Sequence, residues 1–199
     1  MIKWISLSDF WKAILVGVGI MLVLWLVVSL FVMRKAEAIV WETGAHTASR
    51  NAIIIYNPDP FYNLDEQVCK AFATTLSNSN WYAQVLTVKA IEESNLAQAD
   101  LIVFCTNTYN WAPDTATMDF LKTQNLDGMK CVALTLGMGT TDRAQRILEE
   151  TIESRGGELL GSKAYWLGKP NAEPGVVAPN VHIAKLLVAE FADEILKSF

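Results

Sequence analysis

Between an apolar run and a helix-length segment stand Asn57-Pro58-Asp59-Pro60-Phe61-Tyr62-Asn63, followed closely by Asp65 and Glu66. A loop that cradles an anion needs several backbone N–H donors and no negative charge beside them; here two prolines remove donors and three carboxylates add charge. One Asp between two prolines is also a poor ligand set for a cation, so no metal site is expected. Asn57, Tyr62 and Asn63 remain as polar contacts for a ligand. Two later loops have other chemistry. Thr106-Asn107-Thr108-Tyr109-Asn110-Trp111-Ala112-Pro113 offers two aromatic faces with amide and hydroxyl groups beside them. Gly137-Met138-Gly139-Thr140-Thr141-Asp142 offers backbone that a ligand can approach closely. Tyr109 and Trp111 are the aromatic candidates for ligand contact, with Thr106 and Asn107 as polar neighbours; Gly137, Gly139 and Thr140 are the candidates in the Gly-rich turn. The structural alternative is that the aromatics cover a sheet edge and the glycines serve a turn.

Nothing else in the chain suggests catalysis. His46 and His182 have no Cys or paired carboxylate near them in sequence, and both read as surface residues. Cys69, Cys105 and Cys131 are odd in number, far apart and set in apolar runs, which fits buried thiols rather than a disulfide framework or zinc ligands. No nucleophile elbow, GxxxxGK[ST] loop or metalloprotease motif is present.

The elements that must position these loops follow from periodicity. Apolar, β-branched runs predict strands at Ala52–Tyr56, Tyr82–Val88, Leu101–Cys105 and Cys131–Leu136, and a fifth within Leu159–Leu167. Helices are expected over Leu64–Leu76, Asp114–Gln124, Asp142–Arg155 and from Asn180 onward, where Ile183, Leu187, Phe191 and Ile195 form one stripe. Asn63 and Glu66 suggest a capping box for the first of these. Gly168–Pro179, rich in proline and glycine, reads as a long loop. Strands this apolar, separated by helix-length connections, imply a parallel sheet covered on both faces. In such a sheet ligands bind outside the carboxyl ends of the strands, where the three loops fall.

The 199 residues are 52% hydrophobic, and the excess is local: Ala13–Met33 contains no charge and is long enough to cross a bilayer. Residues 1–12 flank this transmembrane helix (13–33), 34–50 form a polar linker, and 51–199 form one domain. Ala36-Glu37-Ala38 has a small-x-small pattern, but the long apolar run followed directly by Arg34-Lys35 fits an uncleaved single-pass anchor better than a signal peptide. Residues 51–199 carry eleven Lys or Arg against eighteen Asp or Glu, an acidic balance that excludes nucleic acid as a natural partner. The flanking charges lean slightly toward a cytoplasmic domain at the cell membrane.

Taken in order and spacing, Ala52 to about Leu196 resembles the flavodoxin-like family. The likeness is carried by Thr106, Tyr109, Trp111 and Pro113 after the third strand and by the Gly-rich turn after the fourth. It implies an α/β fold with a doubly wound five-stranded parallel sheet. It also implies an FMN site with the ring stacked by Tyr109 and Trp111, and a role as flavoprotein in electron transfer or as an FMN-dependent oxidoreductase. The partners so implied are membrane lipid through one helix and a redox protein. The loop after the first strand departs from the family, whose Ser, Thr and Gly there wrap the phosphate. That departure keeps a second function open, a flavin-free interaction subunit of a membrane complex.

Overall fold

The computed structural model describes residues 7–91, 96–171 and 178–199; half of the loop expected over Gly168–Pro179 lies outside them. It comprises two units, Met1–Arg34 and Lys35–Phe199. The first holds α1 (Leu7–Val32), which starts before the expected span at Ala13. Within it Ser8–Val32, with a mean hydropathy of 2.8, is long and apolar enough to cross a membrane.

In the second unit the elements run β1 (Val40–Thr43), β2 (Arg50–Tyr56), α2 (Leu64–Asn78), β3 (Trp81–Thr87), α3 (Val88–Ile91), β4 (Leu101–Tyr109), β5 (Ala112–Pro113), α4 (Thr115–Thr123), β6 (Lys130–Gly137), α5 (Asp142–Ser154), β7 (Glu158–Trp166) and α6 (Asn180–Leu196). The sheet order is β1-β3-β2-β4-β6-β7, with β5 paired to β4. The pairings among β3, β2, β4, β6 and β7 are all parallel, so the five expected strands form the doubly wound core of a flavodoxin-like fold.

Two strands exceed the expected five. β1 lies in the segment read as a linker and pairs antiparallel with β3, Val40 opposite Leu86 and Thr43 opposite Ala83. Ile39 N–H donates to Thr87 Oγ1 at 2.9 Å and Ala36 N–H to Asn57 Oδ1 at 3.0 Å, so the domain begins before Asn51. β5 is the return arm of a hairpin on β4, Thr108 opposite Pro113.

Alternation along β2 separates two cores. Ile54 and Tyr56 face Val68, Phe72 and Leu76 of α2 and Val188, Phe191 and Ile195 of α6. Ile53 and Ile55 face Met118 and Leu121 of α4 and Leu148 and Ile152 of α5. Each fully buried side chain such as Phe72 or Leu121 contributes roughly 1.5–3 kcal/mol by removal from water. α6 packs so closely on β7 that a Cβ on Gly161 would meet Phe191 Cζ at 2.9 Å. Across from it, Cys131 pairs with Leu159 but Val132 with Gly161, leaving Leu160 as the extra residue of a β-bulge. All three cysteines are buried free thiols, as expected.

The helix starts differ from expectation in one place. Asn63 makes no cap to α2; its Oδ1 accepts from Gln67 Nε2 at 2.8 Å, while Glu66 pairs forward with Lys70 at 2.5 Å. Both partners of the expected box are thus occupied one turn along the helix.

Candidate functional site

The carboxyl ends of β2, β4 and β6 bring the three loops to one edge of the sheet, and carboxylates tie the first two of these loops together. Asn107 is the link. Its Nδ2 donates to Asp65 Oδ2 at 2.7 Å and to the Asn57 carbonyl at 3.0 Å, and its backbone N–H donates to Asp114 Oδ2 at 3.3 Å. Asp114 also caps α4, accepting from Thr117 N–H at 2.8 Å. Burial raises the Asp65 pKa to about 6 against the hydrogen bonds it accepts from Asn107, Asp59 and Glu66. Burial likewise raises Asp114 to about 7, with the charge of Asp65 adding to the effect.

Loop one folds on Asp59. Its Oδ1 accepts from Phe61 N–H at 2.7 Å and Tyr62 N–H at 2.9 Å, an Asx turn that closes the loop on its own side chain. Its Oδ2 accepts from the Tyr109 hydroxyl at 2.5 Å, joining loop one to loop three. The Asp59 N–H in turn donates to Asp65 Oδ2 at 2.6 Å. Burial and this bond to Asp59 push the Tyr109 hydroxyl well above its ordinary pKa, so it stays a donor. Beside the loop opens a groove of about 310 Å³ lined by Asp59, Pro60, Phe61, Tyr62, Asn63, Leu64, Leu167 and Val181.

Loop three is a tight hairpin. Tyr109 pairs with Ala112 across a two-residue turn in which Asn110 has φ +50° and Trp111 φ +61°, the signature of a type I′ turn. That turn favours Asn-Gly; an aromatic residue held in the left-handed region is uncommon and strained. Trp111 is nonetheless 64% exposed, so burial does not explain its place.

Loop four is fixed from the far side. Leu167 N–H donates to the Gly137 carbonyl at 2.8 Å, Lys169 N–H to the Met138 carbonyl at 2.8 Å, and Trp166 Nε1 to Thr141 Oγ1 at 2.9 Å. A Cβ on Gly137 would meet Thr141 Cγ2 at 2.8 Å and Thr108 Cβ at 3.2 Å, so this glycine serves the packing of loop four on loop three. At Gly139 a Cβ would find only Lys169 at 3.9 Å, which leaves that backbone open to approach.

The ten residues expected at the site therefore divide. Tyr62, Asn63, Trp111 and Thr140 are exposed, and Tyr109, Gly137 and Gly139 half-buried, all on the three loops. Asn57 and Asn107 are buried and spend their side chains on Ala36 and on Asp65 with the Asn57 carbonyl. Thr106 lies in the interior because β4 continues to Tyr109, past the expected end at Cys105, pairing Thr106 with Thr135 and Asn107 with Leu136. Asp59 and Asp114, the two carboxylates that fasten the loops, were not among the expected contacts. An Asp just before a helical period is a cap signal, and an Asp two and three residues before free amides is an Asx signal; both were present in the sequence. Among the described residues no group of His, Cys, Asp and Glu is arranged to hold a metal.

No protein-family model matches this chain, and no curated protein does. Solved structures do. Flavodoxin 2 of Bacillus cereus is 18% identical at a TM-score of 0.58, covering 75% of this chain and 99% of its own. A Streptococcus pneumonia TIGR4 flavodoxin is 19% identical at 0.56, with coverages of 75% and 99%. A flavo di-iron protein of Thermotoga maritima, 12% identical at 0.55, shares 78% of this chain but only 36% of its own length. The chain carries a flavodoxin-like α/β domain.

The two ends of an FMN meet different chemistry here. For the ring there are the exposed faces of Trp111 and Tyr62 and the open backbone at Gly139. For the phosphate the fit fails, because the Phe61 and Tyr62 amides are held by Asp59 and Asp65 stands behind it.

Proposed function

We propose that this chain is a single-pass, membrane-anchored flavodoxin-like module that holds a flavin by its ring at the loop edge and serves electron transfer at the membrane surface. The observation that supports it is Trp111. An aromatic side chain is kept out in solvent on a strained turn, at the sheet edge where doubly wound folds bind ligands, and strain of this kind clusters at functional sites. A bound flavin supplies the redox chemistry itself. The chain's part is to stack the ring with Trp111 and to fix its position with loops whose hydrogen bonds are already made. The acidic domain, on the cytoplasmic side by the charge lean of its flanks, would dock a basic redox partner by charge complementarity.

The second reading, a flavin-free interaction subunit of a membrane complex, is favoured by one observation, the carboxylate of Asp59 on the amides of loop one. Titration of the detergent-purified full-length protein with flavins, followed by quenching of flavin fluorescence, separates the two. Saturable one-to-one binding that is lost in Trp111→Ala supports the redox reading. Protein that takes up neither riboflavin nor FMN leaves the interaction subunit.

A further inference from the structure

We propose that Asp59 is a specificity residue: it occupies the place of a ligand's phosphate, so that the loop edge accepts a flavin ending in a neutral polyol, riboflavin itself, in preference to FMN. This rests on the flavin reading above and names the ligand class for it.

In a sheet of this order the crevice opens outside the carboxyl ends of β2 and β4, and an anionic ligand group there depends on backbone N–H groups at the entry to α2. From Pro58 to Tyr62 each such group is either missing or committed to a carboxylate. Pro58 and Pro60 have none. Asp59 N–H goes to Asp65 Oδ2, and the Phe61 and Tyr62 amides go to Asp59 Oδ1. The anion is therefore covalently part of the chain. It cannot dissociate to make room, because its second oxygen is held by the Tyr109 hydroxyl of loop three. A phosphate brought to this point would lose water without gaining donors and would face Asp59 with Asp65 behind it, two like charges in a partly dehydrated loop. A polyol has the opposite needs. Its hydroxyls donate, and Asp59, itself part of the groove wall beside Asn63, has one lone pair left on Oδ2 to accept from one of them. The same chemistry that repels the phosphate thus receives the sugar-alcohol chain.

The test uses full-length protein in nonionic detergent, with riboflavin and FMN titrated separately and fluorescence quenching as the readout. For the native chain FMN is expected to bind at least about tenfold more weakly than riboflavin, the order of effect of one like charge at contact between water-like and protein-like screening. In Asp59→Ser, which frees the two amides and removes the charge, the ratio should close or reverse. Asp59→Asn, which keeps the oxygen on those amides, should fall between. The ratio of the two affinities is read rather than either alone, so a general loss from freeing Tyr109 cancels, and near-ultraviolet circular dichroism establishes that each variant is folded. Equal or tighter binding of FMN by the native chain, or a ratio unchanged in Asp59→Ser, overturns the role given to Asp59 and leaves the flavin site standing. Failure of both flavins to bind both the native chain and Asp59→Ser overturns the flavin reading itself.

Discussion

Replacing Asp114 by Asn should make the protein more stable at alkaline pH and leave it nearly unchanged at acid pH. Asp114 is fully buried, and its folded pKa is raised from 3.8 to about 7, burial being the main cause. A carboxyl whose folded pKa lies above its unfolded value favours folding while it is protonated. That contribution is complete below the unfolded pKa and is lost as pH rises through the folded one. At about 1.4 kcal/mol per unit, a shift of some three units corresponds to about 4 kcal/mol lost by about pH 8. Asn at this position keeps an oxygen for the Thr117 N–H, holds a cap of equal rank and has nothing to ionise, while its amide nitrogen cannot accept the Asn107 N–H, which trims the gain. The expected gain for Asp114→Asn is therefore about 2–4 kcal/mol at about pH 8, roughly half of that at about pH 5, and close to zero at about pH 3, below the unfolded pKa. Urea unfolding of the full-length protein in nonionic detergent, followed through the fluorescence of the buried Trp81, measures all three. Stability curves for the two proteins that run parallel from about pH 5 to about pH 8 would refute the reasoning, since they would mean that the Asp114 carboxylate ionises in the folded chain without penalty.

Trp111→Gly should raise stability by about 0.5–1 kcal/mol in the same assay while abolishing flavin quenching, since glycine relieves the left-handed strain and removes the stacking face. Asn107→Ala, which strips the Nδ2 donor from Asp65 and from the Asn57 carbonyl but keeps the backbone N–H to Asp114, should cost about 2–3 kcal/mol at neutral pH, and less at about pH 5 where Asp65 is largely protonated. Gly161→Ala should lower the unfolding midpoint, by about 1–3 kcal/mol, because the added methyl meets Phe191 Cζ at 2.9 Å; a shift below about 0.5 kcal/mol would show that α6 moves away freely.

The parallel core was legible because each strand is an unbroken apolar run and each covering helix repeats its apolar residues at helical spacing, signals that need only local sequence. Leu101 to Cys105 and Cys131 to Leu136 announce themselves in this way. β1 does not: Val-Trp-Glu-Thr alternates over four residues and owes its structure to β3, more than forty positions away. Strand ends were harder than strand existence. β4 runs on through Thr106 and Asn107 because β6 continues beside it, and this carried Thr106 out of the site and into the interior. Beyond the cap signal at Asp114 and the Asx signal at Asp59, the carboxylate network was visible only as composition. Asp59 and Asp65 read as charges hostile to phosphate; that the Asx turn of Asp59 closes on the Phe61 and Tyr62 amides depends on how the chain turns back there. The joining of Asp65 to Asp114 through Asn107 spans two crossovers, and no local pattern encodes it.

The two borders of the sheet bear on how copies behave when crowded. One border is β1, only four residues long and carrying Glu42; the other is β7, bent by the extra residue Leu160 and presenting exposed Glu158 and Lys163. Short, bulged or charged borders are poor templates for another copy's backbone. If the domain is anchored as proposed, copies that diffuse in a plane meet side against side far more often than in free solution, and these borders resist edge-to-edge strand pairing between them.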